Sequence, residues 1–416
     1  MRNGFPIATT FLSLVLLPNC TAQQPQRVLS KDDEWKISEI LRDAHDEVKK
    51  RYYDPNLHGV DWDAGYEKYS KMIGQAVDLG SGFRIVAAYL DQLHDSHTYF
   101  VPPERTNRYE YGFRYVLVGN SCYVTRIRPG TDAESKLHVG DQVLLWNGFN
   151  INRQDFHDLR YYFNILAPQV AVQLDVRSPA GETRRVVVKT VVRPGQMVTD
   201  LTKSEGIYDL IRQAENEEHA SRSQVVERGD LMVWKLPNFS GPSDEVRMHL
   251  GTARKHRALI LDLRGNPGGS VDILKLVIGG LFDQDVKIGD RVGRKETKPL
   301  IAKHSGDAFK GDLIVLIDAA SGSAAELLAR VVQLEHRGKV IGDTSAGAVM
   351  EAQYHGDSRG ADVKFFYGFM VTDANLTMTD GKSLEKVGVV PDEQSLPTGA
   401  DLAVGRDPVL AHAAEL

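Results

Sequence analysis

Residues 311–350, GDLIVLIDAASGSAAELLARVVQLEHRGKVIGDTSAGAVM, decide how the chain is read. Leu313 to Ile317 is an unbroken apolar, β-branched run ending at Asp318, the pattern of a strand buried on both faces. Ala319 to Gly322 are small and turn-prone. From Ser323 the spacing becomes helical, with Leu327, Leu328, Val331, Val332 and Leu334 along one side. Ser323 therefore stands where a buried strand passes into a helix N-terminus. Backbone N–H groups are unpaired there and the helix dipole favours negative charge, which suits an alkoxide or an oxyanion. A plain helix cap has the same local pattern. Ser321 is a rival two residues earlier.

The same alternation extends on both sides. Leu231 to Ser240 reads as a strand, Pro242 to Arg254 as a helix, and Leu259 to Leu263 as a second buried strand running into the Gly-rich turn Arg264–Ser270. A helix is expected over Val271–Phe282, and a strand over Lys339–Gly342. Strands and helices alternating at this length predict an α/β core. Residues 31–94 read as helical, over 32–53, 66–77 and 82–93, with Ile37, Ile40, Leu41, Ala44 and Val48 on one face of the first. Residues 104–192 are rich in strand patterns, and 198–227 read as a charged, helix-prone connector.

The chain has 416 residues, 42% of them hydrophobic and 25% charged, enough for two or three domains. A net charge of −6 gives no electrostatic footprint for nucleic acid. The sequence has no HExxH, paired-cysteine or EF-hand motif and no P-loop, so no metal or nucleotide cofactor is expected. At the N-terminus a basic Met1–Asn3 precedes an apolar stretch from Phe5 to Leu17 and then Cys20-Thr21-Ala22, a secretory leader pattern with cleavage after Ala22. Lipid attachment at Cys20 is the alternative, and either route predicts an exported protein, periplasmic or extracellular. Cleavage leaves Cys122 as the only cysteine, so no intrachain disulfide can form.

Five segments in series, DSHT at 95–98, DLRGNPGG at 262–269, SGSAAE at 321–326, GDTSAGAV at 342–349 and LEKVGVVPD at 384–392, resemble the C-terminal processing (tail-specific) serine peptidases. The resemblance implies a core of crotonase/ClpP-like ββα repeats over 193–416, an N-terminal helical domain over 23–103, and an inserted PDZ-like domain over 104–192, after a leader at 1–22. It implies Ser323 as nucleophile, with oxyanion donors from the N–H of Ala324 and that of Gly268 or Gly269. Many members use a lysine base, but Ala348 occupies that position here. Ser96, His97 and Glu385 instead resemble the tricorn-type arrangement. In it Glu385 bonds Ser96, Ser96 orients His97, and His97 takes the proton of Ser323, as a mostly neutral imidazole can. His94 competes locally with His97, and Asp343 and Glu326 are alternatives to Glu385. The PDZ-like stretch includes Tyr111-Gly112-Phe113 at the position of a carboxylate-binding loop, which implies polypeptide partners docked by their C-terminal tails. Two other readings stay open: a non-catalytic binding protein on the same scaffold, and a hydrolase of small esters.

Overall fold

The computed structural model describes residues 29–105, 107–194, 223–360 and 364–416. The leader at 1–22, Cys20, and most of the connector lie outside the described residues.

Six strands make the central sheet, in the order Gln224–Arg228, Leu231–Lys235, Ala258–Asp262, Asp312–Ile317, Lys339–Gly342 and Glu393–Gln394. The first pair is antiparallel and every later pair is parallel. Parallel strands of this kind are covered on both faces, which is why they read as unbroken apolar runs. Leu259, Leu261, Val315 and Ile317 point to one side, into a core shared with the helices Ser243–Ala253, Val271–Leu281 and Ala324–Leu334. Ile260, Leu316 and Ile341 point to the other and are covered by Val409 and Ala413 of the helix Pro408–Glu415. Gln224–Arg228 is a strand, where a helix-prone connector was expected. Val225 and Val226 are β-branched, and Leu231–Lys235 offers a partner edge.

A second, wholly antiparallel sheet contains Tyr99–Val101, Glu351–Arg359, Phe365–Met378, Val286–Gly293 and Thr297–Ala302. The sequence reading assigned no strands to 286–302 or 351–378. Glycines at 289, 356 and 368 interrupt the apolar alternation there, and the Tyr354 ring fills the space beside Gly356 and Gly368. The helices Lys31–Arg51, Trp62–Ile73 and Leu79–Leu90 share one apolar cluster with Tyr367, Phe369 and Val371 of this sheet. The second and third helices begin about a turn earlier than the apolar spacing indicated. Asp61 accepts from Ala64 N at 3.0 Å, and Asp78 from Ser81 N at 2.6 Å, so the caps set the start.

The third sheet runs Phe113–Val118, Ser121–Ile127, Gln142–Trp146, Ala171–Arg177, Thr183–Lys189. The helix Phe156–Tyr161 accompanies it. Asn107–Glu110 pairs antiparallel with Val191–Pro194, so the chain enters and leaves this unit side by side. One polar clamp joins it to the central sheet. Arg153 donates to Asp343 Oδ2 at 2.6 Å and to Thr344 O at 2.8 Å, and Gly119 N donates to the same carboxylate oxygen at 2.7 Å.

Leu328 is fully buried in the helix that follows Ser323. Leu328→Ala should lower unfolding free energy by about 2–5 kcal/mol, read as a lower urea midpoint with unchanged slope.

Candidate active site

Three loops follow the carboxyl ends of neighbouring parallel strands: 263–270, 318–323 and 343–350. Ligands of open α/β sheets bind at this end. The middle loop delivers Ser323 with φ 51° and ψ −118°, an unusual conformation for a residue with a side chain. Its N–H donates to Ala348 O at 2.8 Å and to Glu326 Oε2 at 3.0 Å, which hold the turn from both sides.

Ser321 is placed differently from Ser323. It is fully buried, donates to Leu263 O at 2.8 Å and accepts from Asp318 N at 2.9 Å. Its oxygen is occupied in fastening one loop to the next.

Glu326 is also buried, and its carboxylate accepts four bonds. Ser345 Oγ donates at 2.6 Å and Gly347 N at 2.7 Å to Oε1, while Ala348 N at 2.9 Å and Ser323 N at 3.0 Å donate to Oε2. Burial raises its pKa and the four donors oppose that rise. Asp343 is committed to Arg153, Gly119 and Thr344 N. The structure therefore gives both carboxylates work other than orienting His97.

Glu385 is the carboxylate that bonds Ser96. Its Oε1 accepts from Ser96 N at 2.7 Å, and its Oε2 from Ser96 Oγ at 2.9 Å and Val349 N at 3.1 Å. Ser96 Oγ lies 2.6 Å from His97 Nδ1. A hydroxyl has one proton and an ionised carboxylate only accepts. The Ser96 proton therefore goes to Glu385, and His97 Nδ1 must carry the proton it donates to Ser96. Its Nε2 is left with a free lone pair. Burial pushes the His97 pKa below its ordinary 6.5, aided by His157 and Lys386 and opposed by Asp95. Burial likewise raises Glu385, against its three donors and Lys386.

Asp95 makes the turn that carries this pair, a role absent from the sequence reading. Its Oδ1 accepts from His97 N at 2.8 Å, Thr98 N at 2.6 Å and Thr372 Oγ1 at 3.0 Å. An aspartate bonding the N–H groups two and three residues on is an Asx turn, legible in principle from D-S-H-T. His94 is exposed, with φ 53°, and ends the short turn Asp91–Leu93.

The two halves of the site meet at consecutive residues. Ala348 O receives Ser323 N–H, and Val349 N–H donates to Glu385. The closing segment is zipped to this loop by Lys386 N to Gly347 O at 2.8 Å and Ser345 N to Val389 O at 3.1 Å.

Of the three expected oxyanion donors, Gly268 is corrected. Its N–H donates to Asn266 Oδ1 at 2.8 Å. Among the described residues neither Gly269 N–H nor Ala324 N–H has an acceptor. Gly268 contributes space instead: a Cβ there would lie 2.5 Å from Ser323 Cβ and 3.0 Å from Ala324 N.

At the third sheet, the side chains of Tyr111 and Phe113 turn inward. The Tyr111 hydroxyl donates to Phe163 O at 2.6 Å, and Phe113 packs 5.7 Å from the Trp146 ring. Gly112 has φ +81°, with Thr131 where a Cβ would be. All three residues are buried, and Gly112 O accepts from Arg128 N at 2.8 Å. Beside them is an apolar pocket lined by Tyr115, Trp146, Phe156, Leu159, Phe163 and Arg160.

Residues 231–395 match the description "Peptidase family S41", and residues 33–78 match "Tricorn protease C1 domain". The chain carries a peptidase family S41 domain. Relatives in sequence are named tail-specific or carboxyl-terminal-processing proteases. Among relatives of this chain, tricorn protease homolog 2 of Streptomyces coelicolor is 25% identical over 404 residues, covering 90% of this chain and 32% of that protein. A carboxyl-terminal-processing protease of Picosynechococcus sp. is 24% identical over 393 residues, covering 88% of this chain and 84% of that protein. The chain thus spans about a third of the length of the first of these relatives. A crystal structure of mature CPAF has the same fold, with a TM-score of 0.67 at 16% identity over 89% of this chain and 94% of that one. No helix among the described residues is long and apolar enough to cross a membrane.

Glu326→Ala would leave three donors, Ser345 Oγ, Gly347 N and Ala348 N, in a closed space without their acceptor, while Ser323 N keeps Ala348 O. It should cost about 2–4 kcal/mol of stability, measured by chemical denaturation, with Glu326→Gln in between.

Proposed function

We propose that the chain is an exported serine endopeptidase that hydrolyses peptide bonds in unfolded or tail segments of proteins. The observation that carries this reading is the convergence at Ala348–Val349: one residue holds Ser323, and the next holds the carboxylate of the Glu385–Ser96–His97 chain.

In this mechanism Ser323 Oγ attacks the scissile carbonyl carbon as its proton passes to His97 Nε2. The imidazolium that forms is stabilised through Nδ1–H by Ser96 and, behind it, Glu385. The developing oxyanion is met by the N–H groups of Gly269 and Ala324, the latter at the positive end of its helix. His97 then protonates the leaving amine. Water repeats the cycle on the acyl-enzyme and releases the new chain end. Position 348, where the Ser/Lys relatives implied by the resemblance carry their base, is next to Ser323 and holds an alanine. That vacancy supports a histidine base supplied from Ser96-His97.

The unit at 104–192 is assigned a PDZ-like docking role, between a helical domain at 23–103 and a core of crotonase/ClpP-like repeats at 193–416. Its support is the free edge of Phe113–Val118, which among the described residues bonds only Ser121–Ile127, and the apolar pocket beside it. A tail added along such an edge gains main-chain bonds, and the backbone of 111–113 would receive its carboxylate. The basic and apolar leader at 1–22 supports export, and Cys20 would be the anchor were it lipidated.

Ser323→Ala should abolish cleavage of an unfolded protein, read by mass; persistence of the same cuts would sink the assignment. His97→Ala should lower kcat by about 10²–10⁴-fold. Ser96→Ala and Glu385→Gln should lower kcat more than they change KM. Because only neutral His97 accepts a proton and its pKa is held below 6.5, kcat/KM should fall in acid with a midpoint below pH 6.5 and be level through neutrality. A midpoint above 6.5 would point to another base.

A further inference from the structure

Strand Phe113–Val118 presents one unpaired backbone edge, a template for an added strand. In its pairing with Ser121–Ile127, Arg114 stands directly opposite Arg126. Both are exposed, and like charges so placed repel. On the other side of the strand, Arg160 of the helix Phe156–Tyr161 borders the apolar pocket, 5.8 Å from the centre of the Phe156 ring. None of the three guanidinium groups has a carboxylate partner among the described residues. The nearest acids along the chain are occupied. Glu110 pairs with Arg128 and Arg193, Asp155 accepts from Asn152, and Asp158 lies beside His157. Among the described residues, Arg114 on the edge strand and Arg160 on the neighbouring helix thus flank a free strand edge, with Arg126 one strand behind it, in a chain of net charge −6.

An extended chain added to that edge alternates its side chains between the two faces. We propose that this edge selects chain ends with acidic residues just before an apolar last residue. The last side chain packs over the mouth of the pocket, an acidic side chain two residues back faces Arg160, and acidic side chains one and three residues back share the face of Arg114, with Arg126 one strand behind. The inference rests on the docking role proposed above and adds the charge class of the tail. Mutual repulsion between Arg114 and Arg126 is relieved when the tail binds, which makes the tail's charge a selection criterion.

The test measures fluorescence anisotropy of labelled decapeptides on the full chain carrying Ser323→Ala. The peptides share a C-terminal leucine and carry aspartate, alanine or lysine at the three preceding positions, and each is also made as the C-terminal amide. The aspartate peptide should bind about tenfold tighter than the lysine peptide at low salt, with the gap narrowing as salt rises. Arg114→Glu combined with Arg160→Glu should reverse the order; both side chains are exposed, so folding is not at stake. Equal binding of the three free-acid peptides, or tighter binding of lysine, overturns the charge selection while the docking role stands. Failure of every peptide to bind overturns both.

Discussion

A single buried carboxylate holds the site together. Glu326 lies in the first turn of the helix after Ser323 and gathers four donors from three places: the serine's own N–H, the backbone at 347 and 348, and the hydroxyl of Ser345. In low-dielectric surroundings such bonds are individually strong, and leaving any one unmade is costly. The strand–helix turn and the following loop therefore have one favourable arrangement relative to each other. The unusual backbone conformation of Ser323 persists because its surroundings over-determine it.

The second half of the site depends on the direction of hydrogen bonds. Glu385 can only accept, so it fixes the Ser96 hydroxyl, which in turn fixes the tautomer of His97. The segment 384–389 is bonded to 345–349 along its length, so Glu385 is located by the same loop that Glu326 locates. Two carboxylates at the two ends of one short segment set the serine and the histidine in a common frame.

Much of this was legible in the sequence because it is local. The strand ending at Asp318 and the helix starting at Ser323 show directly in the change of apolar period, and D-S-H-T carries its own turn. Other parts depend on contacts between residues far apart in the chain. The N–H of Gly268 is taken by Asn266 two residues away, yet that side chain is positioned by its own bond to Leu236 O at 2.9 Å, across 30 residues. Glu326 looks like a surface residue of an amphipathic helix until a second loop closes over it. The hairpins at 286–302 and 351–378 escaped notice because glycines interrupt their alternation, the Tyr354 ring filling the space beside Gly356 and Gly368 and the Thr377 carbonyl that beside Gly289. Helix starts at Asp61 and Asp78 were missed for a simpler reason: the caps precede the first apolar contact.

The pairing of Asn107–Glu110 with Val191–Pro194 has a further consequence. The two points at which the third sheet departs from and rejoins the rest of the chain are neighbours across a ladder about 5 Å wide. Closing a loop costs little extra entropy as it lengthens when its ends are already held together. The unit between them can therefore be lengthened, shortened or replaced in evolution while Tyr99–Val101 and the central strands keep their register. That unit can diversify independently of the loops around Ser323, constrained where Arg153 and Gly119 N meet Asp343.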